Sequence, residues 1–141
     1  MKRFGIPMEA FEDYLLFERS KGWWLMRKSP HLVEAAKLKI ECAGIRAFHK
    51  VGRYIKPTTR LIQYFGKLAT KALIELTKDE FARLASGQDI EMKMDLDDGY
   101  VILCLEGRVI LGLGLWYKGK LVPQIPRKEL RPAVLDPLLS R

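Results

Sequence analysis

Three apolar runs in the C-terminal part of the chain are separated by short turns that contain glycine. The runs are Tyr100 to Leu105, Val109 to Tyr117 and Leu121 to Ile125. Apolar, β-branched and aromatic residues bounded by glycine are typical of β-strands. Gly107 and Gly119 supply the positive φ that a tight hairpin needs. The pattern therefore predicts a local antiparallel meander of three strands.

Gly112 and Gly114 interrupt the middle run at a spacing of two. Residues two apart on a strand lie on one face, so both glycines remove side chains from the same side of the sheet. Glycine inside a strand is typical of a bulge or of a sharply coiled sheet. We predict such a distortion here.

A helix with a clear beginning and end precedes the meander. Thr77 and Glu80 have the spacing of a capping box, in which each side chain bonds the other residue's backbone N–H. Phe81 and Leu84 supply the apolar face, and Gly87 ends the helix. We predict flanking strands at Ala72 to Leu76 and, by alternation, from Ile90 to Asp95.

The N-terminal half has a mixed pattern. The predicted elements are a helix from Met8 to Arg19, a strand from Trp23 to Met26, a helical turn from His31 to Ala36, a hairpin of Leu38 to Cys42 with Ile45 to Val51, and a helix starting at Lys56 to Thr59. Adjacent tryptophans on a strand point to opposite faces, so one of Trp23 and Trp24 is nearer solvent. Two interpretations stay open for that pair: the edge of a core, or a platform on which bases stack.

The meander and the capped helix carry a resemblance. A strand opening in Gly-Tyr, then Glu-Gly-Arg, then Leu-Gly-Leu-Gly resembles the PUA-like domain at the C-terminus of RNA cytosine-5 methyltransferases of the Nol1/Nop2/Sun kind, most clearly from Lys71 to Leu130. The resemblance implies an α+β fold: a small PUA-like antiparallel β-barrel with flanking helices over residues 67–141, preceded by a smaller α+β unit over residues 1–66. It also implies binding of structured RNA, tRNA or rRNA, as an accessory module in RNA modification or ribosome biogenesis. An RNA-modifying enzyme is then an expected partner.

Composition agrees with a folded, basic protein. The 141 residues are 48% hydrophobic and 30% charged, with a formal net charge of +8, which favours a polyanionic partner. No run approaches the ~20 apolar residues of a membrane span, and the N-terminus does not resemble a leader. Cys42 and Cys104 are too few for a disulfide framework, as suits a reducing compartment. We expect a cytoplasmic protein without membrane contact, and its oligomeric state stays open.

The sequence offers no catalytic constellation. Gly112 and Gly114 lie in a strand and do not form a dinucleotide loop. Neither cysteine lies in the catalytic motif of the methyltransferases that the chain resembles. The acidic group Asp95, Asp97 and Asp98 has the chemistry for a cation but, before a strand, more often caps turns. We expect no enzyme activity, no cofactor and no metal.

Basic residues concentrate in two segments, between Cys42 and Ile74 and after Gly107, whereas acidic residues dominate between Glu75 and Glu106. PUA domains, by resemblance, hold RNA between the first helix region and the last strands. The residues expected to contact RNA are Lys118, Lys120, Arg127, Lys128 and Arg131, with Arg53, Lys56 and Arg60 as a second set and Tyr117 as a stacking partner.

Two other classes of function stay open. One is a protein-interaction or assembly factor without direct RNA contact, in which Trp23, Trp24, Trp116 and the leucine-rich tail form an interface. The other is a small enzyme with an unrecognised site. Salt dependence of RNA binding separates the RNA-binding module from the assembly factor.

Overall fold

In the part of the chain that the structure describes, two β-sheets and three α-helices make up the fold, which is α+β as predicted. The computed structural model describes residues 1–20, 22–38, 43–107 and 109–130. The first sheet belongs to the N-terminal half, and the second is a half-barrel built from the C-terminal half. Together they confirm a PUA-like sheet preceded by a smaller α+β unit.

The N-terminal sheet has four antiparallel strands in the order β1-β2-β3-β4. The strands are β1 (Tyr14–Arg19), β2 (Gly22–Arg27), β3 (Ile45–Val51) and β4 (Tyr54–Pro57), and helix α1 (Leu32–Ala36) connects β2 to β3. The predicted strand at the tryptophan pair and the helical turn after it are confirmed. Both Trp23 and Trp24 are partly buried.

The C-terminal sheet has five strands in the order β5-β7-β8-β9-β6. The strands are β5 (Leu73–Leu76), β6 (Ile90–Glu91), β7 (Gly99–Leu105), β8 (Val109–Tyr117) and β9 (Lys120–Pro123). Strands β7, β8 and β9 form the predicted antiparallel meander. Strand β5 joins β7 in parallel, which makes the sheet mixed.

Helix α2 (Thr59–Phe65) lies between the two sheets and contacts both β3 and β8. Its N-cap, Thr58, accepts a hydrogen bond from the backbone N–H of Leu61 at 3.1 Å and donates one to the carbonyl of Arg46 at 2.6 Å. Leu61 and Ile62 are fully buried. The helix predicted to start at Lys56 to Thr59 is confirmed from the Thr58 cap onward, whereas Lys56 and Pro57 belong to strand β4. The cap ties the helix to the first sheet.

Helix α3 (Lys78–Ala85) carries the predicted capping box. The backbone N–H of Thr77 donates to Glu80 Oε2 at 2.8 Å, and Glu80 N–H donates to Thr77 Oγ1 at 3.2 Å. Phe81 and Leu84 are buried beneath the helix, as their spacing requires.

The helix predicted from Met8 to Arg19 is wrong. Met8–Phe11 forms only a 3₁₀ turn, Glu12 and Asp13 continue as a turn, and Tyr14–Arg19 is strand β1. The consecutive apolar residues Tyr14 to Phe17 fit both a helical and a strand period. Pairing with β2 along six residues decides between them, because it satisfies the strand's backbone groups on that side.

The predicted hairpin of Leu38 to Cys42 falls largely outside the described residues, since residues 39–42 are not among them. Strand β3 pairs with β2 on one side and β4 on the other. Strand β6 is also shorter than predicted, because only Ile90 and Glu91 pair with β9.

A bulge distorts β8 at the predicted glycines. Leu103 pairs with Gly112 and Cys104 pairs with Ile110, so Leu111 is the extra residue. A Cβ on Gly112 would lie 3.0 Å from the Thr59 methyl group of α2. Because Gly112 has no side chain, the sheet approaches helix α2 closely at the bulge.

The domain boundary between residues 66 and 67 stays a prediction.

Candidate nucleic-acid interface

The segment that follows β9 crosses helix α2 and ends in a 3₁₀ turn, Arg127–Leu130. Gln124 N–H donates to the carbonyl of Leu113 in β8 at 2.9 Å, which starts the crossing. Glu129 N–H donates to the carbonyl of Pro126 at 2.8 Å and closes the turn. Arg127 and Lys128 are exposed at this turn.

Gln63 of α2 anchors the turn. Its Nε2 donates to the Glu129 carboxylate at 3.1 Å and to the carbonyl of Leu111 at 3.2 Å. Its Oε1 accepts a long hydrogen bond from Arg60 Nη1 at 3.5 Å. One glutamine therefore holds the last turn against the bulge of β8 and brings Arg60 beside Glu129.

Lys56 of β4 contacts the same segment nearer its start. Its Nζ donates to Gln124 Oε1 at 2.9 Å and lies 5.5 Å from the centroid of the Tyr100 ring. Burial lowers the pKa of Lys56 from its usual value.

These contacts bring together elements that carry four basic residues, where the last segment meets β4 and α2. We call Lys56, Arg60, Arg127 and Lys128 the junction cluster. The cluster combines members of both predicted sets, which are about 70 residues apart in the sequence. The carboxylate of Glu129, in the same turn as Arg127 and Lys128, accepts a hydrogen bond from Gln63.

The β8–β9 hairpin residues lie apart from the junction cluster. Lys120 begins β9, four residues before Gln124, which contacts Lys56 of the cluster. At ~3.3 Å per residue, Lys120 and Gln124 are about 13 Å apart along the chain. Its Nζ is 3.4 Å from the Glu91 carboxylate. Lys118 N–H donates to Asp98 Oδ1 at 2.9 Å, and Lys118 Nζ lies 5.1 Å from the ring of Tyr117, which is half exposed. Nearby carboxylates thus offset this pair of lysines.

Arg53 occupies the β3–β4 turn, where its guanidinium lies 5.5 Å from the ring centroid of Tyr54. Arg131 lies outside the described residues. The nine residues predicted to bind RNA thus include four in the junction cluster, three at the β8–β9 hairpin and one at the β3–β4 turn, besides Arg131.

Sequence reasoning missed the groups that position the cluster. Gln63 and Gln124 carry no charge and match no motif, so nothing in the sequence distinguishes them from other surface glutamines. For Tyr100 the sequence predicts only a place in a strand. The one pattern that points to this arrangement is the i, i+3 spacing of Arg60 and Gln63, which places both side chains on one face of the helix.

Other candidate groups have structural partners. Trp116 is buried, and its indole N–H donates to the carbonyl of Leu96 at 3.0 Å. Asp98 caps the β8–β9 turn. Burial, followed by the negative charge of Glu75, raises the pKa of the Cys104 thiol. Within the described ranges, no three His, Cys, Asp or Glu side chains are grouped so as to hold a metal ion.

The C-terminal sheet, its capped helix and the segment that returns across α2 define a PUA-like module. Residues 71–131 match the family model described as the Methyltransferase RsmF PUA domain. This part of the chain therefore resembles the PUA domain of rRNA cytosine-5 methyltransferases, as expected from its sequence. The match covers less than half of the 141 residues and leaves the N-terminal sheet outside. No curated protein matches the chain.

Across the part of the chain that the structure describes, no helix has both the length and the apolar character needed to cross a membrane.

Proposed function

We propose that the protein binds structured RNA, tRNA or rRNA, as a non-catalytic module in RNA modification or ribosome biogenesis in the cytoplasm. The observation that carries the proposal is the junction cluster, which lies where the segment that closes the PUA-like module meets β4 and α2. PUA domains are RNA-binding accessory domains of such methyltransferases. The net charge of +8 supports a polyanionic partner.

The junction cluster is our first choice for phosphate contacts. Arg60 and Arg127 offer guanidinium groups, whose planar forks match phosphate oxygens. Arg131, Arg53, Lys118, Lys120 and Tyr117 extend the proposed surface on either side. The contribution of Lys120 is smaller in this proposal, because the ion pair with Glu91 must be broken or shared.

We further propose that a separate enzyme supplies any catalysis. The matched family model describes an accessory domain. Among the described residues, Cys104 is buried in β7, and burial raises its pKa, which disfavours the nucleophilic thiolate. Methyl transfer from S-adenosylmethionine to RNA by the purified protein above one turnover would contradict this part of the proposal.

The decisive test changes Arg127, Lys128 and Arg131 together to alanine. We expect weaker binding to a labelled RNA hairpin, and a slope of log affinity against log salt that is flatter by about one unit per lost contact. The described side chains among the three, Arg127 and Lys128, are exposed, so the melting temperature should not change.

The matched control changes Lys2, Arg83 and Lys93 to alanine. These three residues are exposed, and replacing them removes the same charge at sites away from the junction cluster. Equal losses in the two variants would mean that only net charge matters. An unchanged affinity and slope in the Arg127 variant would exclude this surface and favour the protein-assembly function.

A further inference from the structure

The N-terminal sheet has one face against the core and one face directed away from it. Tyr14 and Leu16 of β1, Leu25 of β2 and Phe48 of β3 line one cavity together with Leu61 of α2. Cross-strand partners in the register share a face, and neighbours along a strand alternate. The opposite face, which we call the outer face, is therefore defined by the intervening residues.

The outer face is basic and aromatic. Its residues are Leu15, Phe17, Arg19, Gly22, Trp24, Met26, Arg46, His49, Val51, Tyr54 and Lys56. Of these, three are permanently basic and one is histidine, whereas none is acidic. Acidic Glu18 of β1 alternates onto the other face. Such a distribution matches a polyanion and would repel an acidic peptide.

One row of the outer face crosses three strands. Phe17 pairs with Trp24, and Trp24 pairs with Arg46. Gly22 makes room for the guanidinium beside this row, since a Cβ there would lie 2.9 Å from Arg46 Nε. The guanidinium therefore lies close over Gly22 of β2, on the same face as Trp24.

Helix α1 borders the β1–β2 side, where Leu32 and Ala35 share a cavity with Phe17 and Met26. Towards β4, Tyr54 is 65% exposed, and the guanidinium of Arg53 lies 5.5 Å from its ring centroid. The outer face is thus most exposed at Tyr54, and Trp24 and Arg46 remain partly exposed between Tyr54 and the helix.

Lys56 connects the outer face to the junction cluster. It pairs with His49 across β3 and β4, and its Nζ reaches Gln124 of the C-terminal segment. A phosphate chain leaving the junction cluster would meet the edge of the outer face without crossing an acidic residue among those described for that face.

We propose that the outer face binds an unpaired RNA segment whose bases stack on Tyr54 and Trp24 and whose phosphates contact Lys56 and Arg46. Aromatic rings on a basic sheet suit single strands, because every base has a stacking face and no base-edge recognition is required. This inference rests on the proposed function and adds a second surface, with a different preference for RNA structure.

The test compares Tyr54→Ala with Tyr64→Ala. Tyr64 is 64% exposed on α2 and Tyr54 is 65% exposed, so the two variants remove the same ring at equal exposure. The probes are a labelled single-stranded RNA and a blunt RNA duplex. The single strand is about 12 nucleotides long, which spans several stacked bases.

We expect Tyr54→Ala to weaken binding of the single strand at least about fivefold. Tyr64→Ala should bind it as the wild type does, and both variants should keep the affinity for the duplex. Trp24→Phe should reduce quenching of the protein's fluorescence by the single strand, since phenylalanine keeps the apolar contact with Phe17 while removing the indole.

Wild-type affinity of Tyr54→Ala for the single strand would overturn the inference, as would an equal loss in Tyr64→Ala. The Arg127, Lys128 and Arg131 variant separates the two proposals. If duplex binding depends on those three residues and Tyr54→Ala does not change binding of the single strand, only the proposal for the outer face is excluded. Absence of binding to either RNA contradicts both proposals.

Discussion

Gly114 lies where the C-terminal sheet has no room for a side chain. A Cβ at this position would lie 2.7 Å from Leu121 Cδ1 and 3.1 Å from Leu103 Cδ2. Leu103 and Leu121 are both fully buried, so neither can move into solvent. Gly114 is not among the residues with positive φ, and the effect of Gly114→Ala should therefore come from packing alone.

The expected cost is that of an overpacked core, about 1–3 kcal/mol in the free energy of unfolding. For a chain of this size, each kcal/mol lost from the free energy of unfolding lowers the melting temperature by ~2–4 °C. Gly114→Ala should thus lower the melting temperature by about 2–12 °C. Urea titration should give the same loss with an unchanged slope, since the surface exposed on unfolding hardly changes.

A double-mutant cycle with Leu121→Ala tests the cause. Leu121→Ala alone should destabilise the protein by about 2–5 kcal/mol, because it leaves a cavity. In the Leu121→Ala background the nearest atom is gone, so adding Gly114→Ala should cost much less than it does alone. Additive effects of the two substitutions would refute the packing explanation, and so would a cost below ~0.5 kcal/mol for Gly114→Ala.

Two further predictions concern the junction cluster and the outer face. Gln63→Met should keep the helix but remove the hydrogen bonds to Leu111 and Glu129, which costs about 1–3 kcal/mol in the free energy of urea unfolding. It should also weaken binding to the labelled RNA hairpin. Unchanged stability and binding would show that the anchor is dispensable. Burial, then Arg46, then Lys56, lowers the pKa of His49. As the pH falls below about 6.5, the unfolded chain takes up a proton at this histidine before the folded chain does. The wild type should therefore lose stability relative to His49→Gln between neutral and acidic pH. Parallel curves of stability against pH for the two proteins would contradict the lowered pKa of His49.

Local signals predicted the C-terminal half well. The capping box of Thr77 and Glu80 and the glycine-bounded runs are set by neighbouring residues, and α3 and the meander form where these signals occur. The parallel pairing of β5 with β7 involves residues about 30 positions apart, and no short-range pattern encodes it. The error at β1 has the same origin, since an apolar run of ambiguous period was decided by its pairing with β2.

The basic residues of the candidate site were visible in the sequence, but their grouping was not. The uncharged side chain of Gln63 links Arg60 to Glu129, which lies in the same turn as Arg127. Lys120 looks like an ordinary basic hairpin residue until its ion pair with Glu91 of β6 is known. Charge can be counted from composition, whereas which charges are paired depends on tertiary contacts.

The most direct test of the central proposal is the affinity of the wild-type protein for a labelled RNA hairpin across a range of KCl concentrations. If the junction cluster contacts phosphates, log affinity should fall linearly with log salt, with a slope steeper than about −2 for three or more contacts. No measurable binding at low salt, or an affinity that salt does not change, would contradict the account.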